Sequence, residues 1–290
     1  MAKHAYLIIA HKNVEQLNYL ISLLDDERND IYIHLDKKSS IQESEVTTVL
    51  KGNVYFIPRK SAHWGGASLV FIELELLKAL RNYDYAYIHL LSGEDLPIKS
   101  QDYIHDFFDS NKGIEYIQVI DNEWSRRTAV NRLRYYYILQ EGMGSGLNKK
   151  NLIRKIIQRT FVVIQKIMNV DRLKGLSTDL YCGSQWFSIT GEFAHYISQQ
   201  ESFIKKYFKY TIVPDEVFIQ LMALKSSFRN NVFKGGNMRL LSFETGTSHP
   251  ITFQPQDYDL LRQTDCMFAR KFDISHYPET KSIIKELLYL

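Results

Sequence analysis

The chain has 290 residues, 45% hydrophobic and 24% charged, enough for one substantial core or two small domains in close contact. A formal net charge of +3 is too small to indicate a nucleic-acid surface, and two cysteines, Cys182 and Cys266, form neither a disulfide framework nor a metal cluster. No apolar run is long enough to span a bilayer and the N-terminal residues lack a signal-peptide core, so a reducing, cytoplasmic setting is expected.

Residues 6–10 form a short apolar run of strand type, closed by the polar tip His11-Lys12-Asn13. A helical pattern over 14–24 leads through a charged turn to a second strand, 31–35, which ends at Asp36. Strand, helix, strand from the N-terminus opens a parallel α/β sheet. Neither a Gly-x-Gly-x-x-Gly nor a Gly-Lys-Ser/Thr loop follows, which argues against dinucleotide binding and P-loop chemistry. A carboxylate at a strand end, such as Asp36, either contacts a ribose or base or caps a turn, and the sequence favours the turn. After a strand over 54–58, His63-Trp64-Gly65-Gly66 precedes a helix over 69–80. Paired glycines let a backbone approach a ligand or take positive φ. Trp64 either stacks on a sugar or base or plugs the top of the core.

The stretch 83–98 is the one around which the rest is organised. Its first half has the composition of a buried strand; it breaks at Ser92-Gly93, turns acidic at Glu94-Asp95 and closes at Pro97. Ligands of α/β sheets bind beyond the carboxyl ends of strands, so this stretch delivers two carboxylates to that place. A helix over 101–110 and a strand over 115–120 follow. Residues 124–171 are rich in Arg and Tyr, with a Gly-Ser turn at 142–146 and a basic amphipathic helix over 149–168. That helix reads first as a surface helix with a solvated basic face, and second as a patch resting on an anionic membrane. A strand over 181–189 and a helix over 192–200 come next. Pro214-Asp215-Glu216 is helix-start grammar, which makes Glu216 structural rather than catalytic on that evidence alone and favours its charged form at the expense of basicity. In the tail, Arg270-Lys271 either clamps a diphosphate or is a basic pair on a turn, and a helix ends the chain.

Seven stretches in order carry a resemblance. They are Ala5-Tyr6-Leu7-Ile8-Ile9-Ala10-His11, His34-Leu35-Asp36, Trp64-Gly65-Gly66-Ala67-Ser68-Leu69-Val70 and Leu91-Ser92-Gly93-Glu94-Asp95-Leu96-Pro97, then Gly183-Ser184-Gln185-Trp186, Pro214-Asp215-Glu216 and Phe268-Ala269-Arg270-Lys271-Phe272-Asp273. Together they resemble the core-2/I-branching glycosyltransferases, the family that includes the peptide O-xylosyltransferases, over nearly the whole chain.

The resemblance implies an α/β fold of GT-A type, a Rossmann-like mixed sheet flanked by helices. It implies one catalytic domain over 1–290, with a nucleotide-sugar-binding half (1–123), a variable acceptor-side helical insertion (124–174) and an acceptor and catalytic half (175–290). It further implies an inverting transfer of GlcNAc or xylose from a UDP-sugar to a hydroxyl of a glycan or lipid-linked acceptor, with Glu216 as base. Asp215 would orient the loop or touch the acceptor. Asp36 and Asp95 match positions near the nucleoside and the donor-pocket floor, and His11, Trp64, Gly65, Gln185 and Trp186 would line the cleft. No metal and no other cofactor is expected, because Lys271, with Arg270, matches the cations that replace the ion. The basic residue that animal members carry in the preceding segment is missing from Ser248-His249-Pro250, and Arg270 or His249 would compensate. The chain looks like a cytoplasmic, bacterial-type member whose 149–168 helix brings it to the inner face of the membrane. A nucleotide-sugar-binding protein without turnover and, further off, a glycoside hydrolase are the competing readings.

Overall fold

A computed structural model describes residues 3–80, 84–142, 149–244 and 250–289, the side chains of 142, 149 and 150 excepted. Its first half alternates strands and helices: β1 (Lys3–Ala10), α1 (Val14–Leu23), β2 (Asn29–Leu35), β3 (Asn53–Phe56), α2 (Ser68–Ala79) and β4 (Tyr85–Ser92). Then come β5 (Asp95–Pro97), α3 (Gln101–Ser110), β6 (Tyr116–Ile117), α4 (Glu123–Arg134), α5 (Lys149–Ile167) and β7 (Phe187–Thr190). The last third holds α6 (Gly191–Ser198), α7 (Glu201–Phe208), α8 (Asp215–Leu224), β8 (Arg239–Leu241), α9 (Tyr258–Gln263), β9 (Phe268–Arg270) and α10 (Thr280–Leu288).

The main sheet has the order β3-β2-β1-β4-β7-β6. Its first four strands are parallel, and β7 and β6 add antiparallel pairs. β1 and β2 are buried along almost their whole length because helices cover both faces, which is what apolar runs without alternation encode. One core packs α2, α6, α7 and α8 on one face of the sheet; the other packs α1, α3 and α10 on the opposite face. A second sheet, β5-β9-β8, abuts the end of β4 and pairs Asp95 with Arg270 in register. Among the described residues no helix is long and apolar enough to cross a membrane.

The expected elements form with small shifts, and the differences are local. The strand expected over 115–120 contracts to two residues, and the one expected over 181–189 starts only at Phe187. Residues 181–186 leave the sheet because Gly183 is pressed against the main chain: a Cβ there would stand 1.8 Å from the Gln118 carbonyl oxygen. Only glycine permits that approach. The helices α4 and α7 and the three-residue strands of the second sheet were not anticipated from sequence.

Candidate active site at the strand ends

The carboxyl ends of β1, β2 and β4 place His11, Asp36 and the Ser92–Asp95 turn at one edge of the sheet. Asp36 is buried, and its carboxylate accepts hydrogen bonds from the Lys38 N–H (2.8 Å) and the Ala62 N–H (3.2 Å). It therefore ties the turn after β2 to the loop that carries His63, Trp64 and Gly65. Trp64 lies 59% exposed, so it does not plug the core. Gly65 takes φ 72°, and its carbonyl accepts from the Val213 N–H at 2.8 Å, joining this loop to the segment before α8. Val213 itself has φ 45°, a conformation rare for a β-branched residue and rarer before proline. Such strain marks segments whose position the surroundings dictate.

The end of β4 delivers both acids, as the sequence expects, and each is paired with a cation. Asp95 is buried; it accepts from the Ser92 N–H (2.9 Å) and Ser92 Oγ (2.7 Å) and pairs with Arg270 Nη1 at 3.1 Å. Burial pushes its carboxyl up, against the pull of the Arg270 charge and the Ser92 hydrogen bonds. Glu94 lies between Lys12 Nζ (2.9 Å) and Lys271 Nζ (3.8 Å). Burial acts to raise Glu94, but the Lys12 hydrogen bond and the Lys271 charge outweigh it and hold the carboxyl low. Burial, partly offset by Glu94, lowers the pKa of His11, which the charges of Asp36 and Lys271 also reach. The end of the sheet thus gathers the charges of Lys12, Glu94 and Lys271 beside a His11 imidazole that burial shifts toward its neutral form.

Arg270 and Lys271, adjacent in sequence, part ways here. The Arg270 guanidinium is buried, bonded to Asp95 and Ser92 Oγ and stacked 4.3 Å from the Trp186 ring. It is engaged in the floor of the site and is not placed as a mobile clamp. The Lys271 ammonium stays partly exposed, 3.8 Å from Glu94 Oε2. His249 lies outside the described residues.

The segment 182–186 joins this floor to α8. The Gly183 N–H donates to the backbone carbonyl of Glu216 at 2.9 Å, and Gln220 Nε2 at 2.8 Å holds the Ser184 carbonyl. Gln185 turns the other way, donating to Glu73 Oε1 at 2.7 Å. Asp215 and Glu216 form the first turn of α8. Glu216 is 45% exposed at its side chain and accepts a hydrogen bond from Arg132 Nη1 at 2.8 Å. Arg132 also approaches the Val213 carbonyl at 3.5 Å, so one guanidinium braces both the strained residue and the acid.

Asp215, in the same turn as Glu216, is buried, and among the described residues its Oδ1 has no hydrogen-bond partner; the same holds for Oε2 of Glu73. Burial, reinforced by the charge of Glu216, lifts the Asp215 carboxyl to about 7, and burial with the charge of Asp215 holds Glu73 well above the ordinary carboxylate range. Two neighbouring buried acids are thus at least partly neutral beside one exposed carboxylate. Sequence reasoning missed Glu73, although it was visible: an acid set between Val70 and Leu77 at helical spacing falls on the buried stripe. It also missed Arg132 as a partner because α4 was not read as a helix, despite Asn122 at its cap and arginines in its last turn.

The Asp215 environment has a measurable consequence. A folded pKa raised above the unfolded one favours the native state below it, so this stabilisation declines as pH rises through 7. Between pH 6 and pH 8 the protein should lose about 1.4 kcal/mol of stability relative to Asp215→Asn. Parallel urea unfolding of the two proteins at both pH values checks this, and parallel curves would contradict it.

A family model described as Core-2/I-Branching enzyme matches residues 4–262. The chain belongs to the Core-2/I-Branching enzyme family. Its mixed sheet flanked by helices is the GT-A-type fold expected of that family. Xylosyltransferase 2 of Pan troglodytes is 24% identical over 313 residues, which cover 98% of this chain and 33% of that protein. Xylosyltransferase 2 of Rattus norvegicus is 24% identical over 315 residues, 100% of this chain and 34% of that protein. Xylosyltransferase oxt of Drosophila melanogaster is 22% identical over 303 residues, 92% and 31% respectively. This family member thus spans about a third of the length of the curated relatives it matches.

Proposed function

We propose that the chain is an inverting glycosyltransferase that moves xylose or GlcNAc from a UDP-sugar to a hydroxyl of a glycan or lipid-linked saccharide. The supporting observation is the layout of Glu216 and Lys271. The acid opens α8 and is locked by its own carbonyl to the Gly183 loop; the Trp186 ring at the end of that loop lies on Arg270, the neighbour of Lys271. Base and cation therefore belong to one continuous hydrogen-bonded and stacked unit.

In the proposed reaction Glu216 takes the proton of the acceptor hydroxyl as that oxygen attacks the anomeric carbon. The bond from that carbon to the diphosphate oxygen breaks on the opposite face, and UDP departs with the electron pair. The leaving group is already good, so one base suffices. Lys271 stabilises the charge that develops on the diphosphate, an electrostatic role that many transferases give to a divalent ion. Arg270 and Asp95 hold the strand end from which Lys271 projects. Trp64 and Gln185 would line the sugar and acceptor side, while His11 and Asp36 would line the nucleotide side.

Two tests follow. A thermal-shift panel of nucleotide sugars should show UDP-xylose or UDP-GlcNAc raising the melting point, since a ligand at 100 times its Kd adds about 2.7 kcal/mol; a panel with no UDP-dependent shift would contradict the reading. With lysine carrying the diphosphate charge, transfer should survive excess EDTA. Complete loss of activity, restored by a divalent cation, would show that Lys271 does not suffice.

A further inference from the structure

The helix α5 is attached to the protein by its polar side. Asn151, Gln158 and Gln165, spaced seven residues apart, are buried against the body. Gln165 grips both main-chain groups of Tyr136, accepting from its N–H at 2.8 Å and donating to its carbonyl at 2.9 Å. Gln158 accepts from the Leu139 N–H at 3.0 Å. An amphipathic surface helix ordinarily buries its apolar stripe and solvates its polar one. Here the arrangement is reversed: Leu152, Ile156, Val163 and Ile167, with Ile157 and Ile164 beside them, are each about half exposed or more. At about 100° per residue these side chains and their neighbours fill an arc of roughly 160° facing away from the body. Scattered exposed leucines are ordinary, but a continuous strip of this kind is not.

The charges around the strip are of one sign. The helix carries Lys149, Lys150, Arg154, Lys155, Arg159 and Lys166 and no acid. Helical geometry puts Lys155, Arg159 and Lys166 along one border of the apolar arc and Arg154 along the other. A second copy of the chain docked through this helix would set cation against cation with no acid on the helix to answer them. An anionic lipid surface matches both features, apolar residues entering the acyl boundary and flanking cations meeting headgroups.

We propose that α5 is an interfacial helix that seats the protein on an anionic membrane without crossing it. The outward strip replaces the sequence expectation of an ordinary helix with a solvated basic face. The helix also bears on the site. Its glutamines hold the segment after α4, and Glu141, just beyond that segment, accepts from Ser68 N–H and Oγ, each at 2.8 Å, at the start of α2. The membrane face and the loop of Trp64 and Gly65 are therefore joined by one run of chain. The proposal stands on α5 alone and does not depend on the assigned reaction.

Flotation of the purified protein with phosphatidylcholine vesicles, with and without phosphatidylglycerol, tests it. The protein should float with the anionic vesicles at low salt, and high salt or removal of phosphatidylglycerol should release most of it. Ile156→Asp/Ile164→Asp should weaken binding about tenfold or more, with circular dichroism and melting point unchanged because both side chains face solvent. Failure of the folded wild-type protein to float at low salt would overturn the proposal. So would binding that the double variant leaves intact, or a lipid-free dimer that the same variant dissolves, since the strip would then be a contact between copies.

Discussion

Glu216→Gln is expected to slow sugar transfer by about 10²- to 10⁴-fold, the range by which a positioned general base accelerates proton transfer, and to leave UDP affinity unchanged. The separation of the two effects is what the geometry demands. Glutamine keeps an oxygen that accepts from Arg132 Nη1, so the first turn of α8 and the Gly183 loop should hold their places. Only the capacity to take a proton is lost. Single-turnover transfer beside calorimetric UDP titration measures both. Transfer that persists at the wild-type rate would move the base elsewhere. The adjacent Asp215 would be the first alternative, and Asp215→Asn discriminates it. Asp215 is buried, so it lacks the access to an acceptor hydroxyl that the role requires.

Arg270→Met carries the second large effect, and it falls on stability. The substitution leaves the Asp95 carboxylate in the core with Ser92 as its remaining hydrogen-bond partner among the described residues and only the charge of Arg239 to offset it, and removing one partner of a buried ion pair costs about 3–5 kcal/mol. Asp95 can escape part of that cost by taking up a proton, so the loss should be largest above neutrality and shrink toward acid pH. Urea unfolding at pH 5 and pH 8 reads both the size and the slope. Lys271→Met should do the reverse: the side chain is partly exposed and only loosely paired with Glu94, so stability should change by less than about 0.5 kcal/mol while UDP binding weakens. An Arg270→Met protein of unchanged stability would mean that the Asp95 pair does not hold the strand end.

Most of the sheet could be read from sequence because it follows from one-dimensional signals. The runs that became β1, β2 and β4 are apolar without alternation, and helices cover such strands on both faces. The cap at Ser100 and the apolar spacing after it set α3 over residues 101–110 as expected. What escaped was structure made by partners distant in the chain. β5 and β9 are three residues each and exist because Asp95 meets Arg270 across 175 positions, the interval from 95 to 270. The loop at Gly183 looks like a strand by composition, and its detour is dictated by the Gln118 carbonyl against which it lies.

The candidate site was legible only in part, for the same reason. Glu216 follows Pro214 in ordinary helix-start grammar, and its side chain's exposure and Arg132 partner appear only once α4 is packed beside α8. The sequence treated Arg270 and Lys271 as a pair because they are adjacent. In the fold they diverge: Arg270 ends β9 with its guanidinium paired to buried Asp95, while Lys271 lies just beyond the strand, partly exposed and near Glu94. Glu94, one of the two acids expected at the end of β4 but given no role there, links that end to both Lys12 and Lys271.

The most direct test of the central claim is a crystal structure of the protein with UDP and an unreactive analogue of the donor sugar. The account predicts a diphosphate oxygen about 2.7–2.9 Å from Lys271 Nζ, with the Glu216 carboxylate facing the anomeric carbon from the side opposite the diphosphate. A diphosphate bound away from Lys271, or a Glu216 carboxylate on the leaving-group side of the sugar, would contradict it.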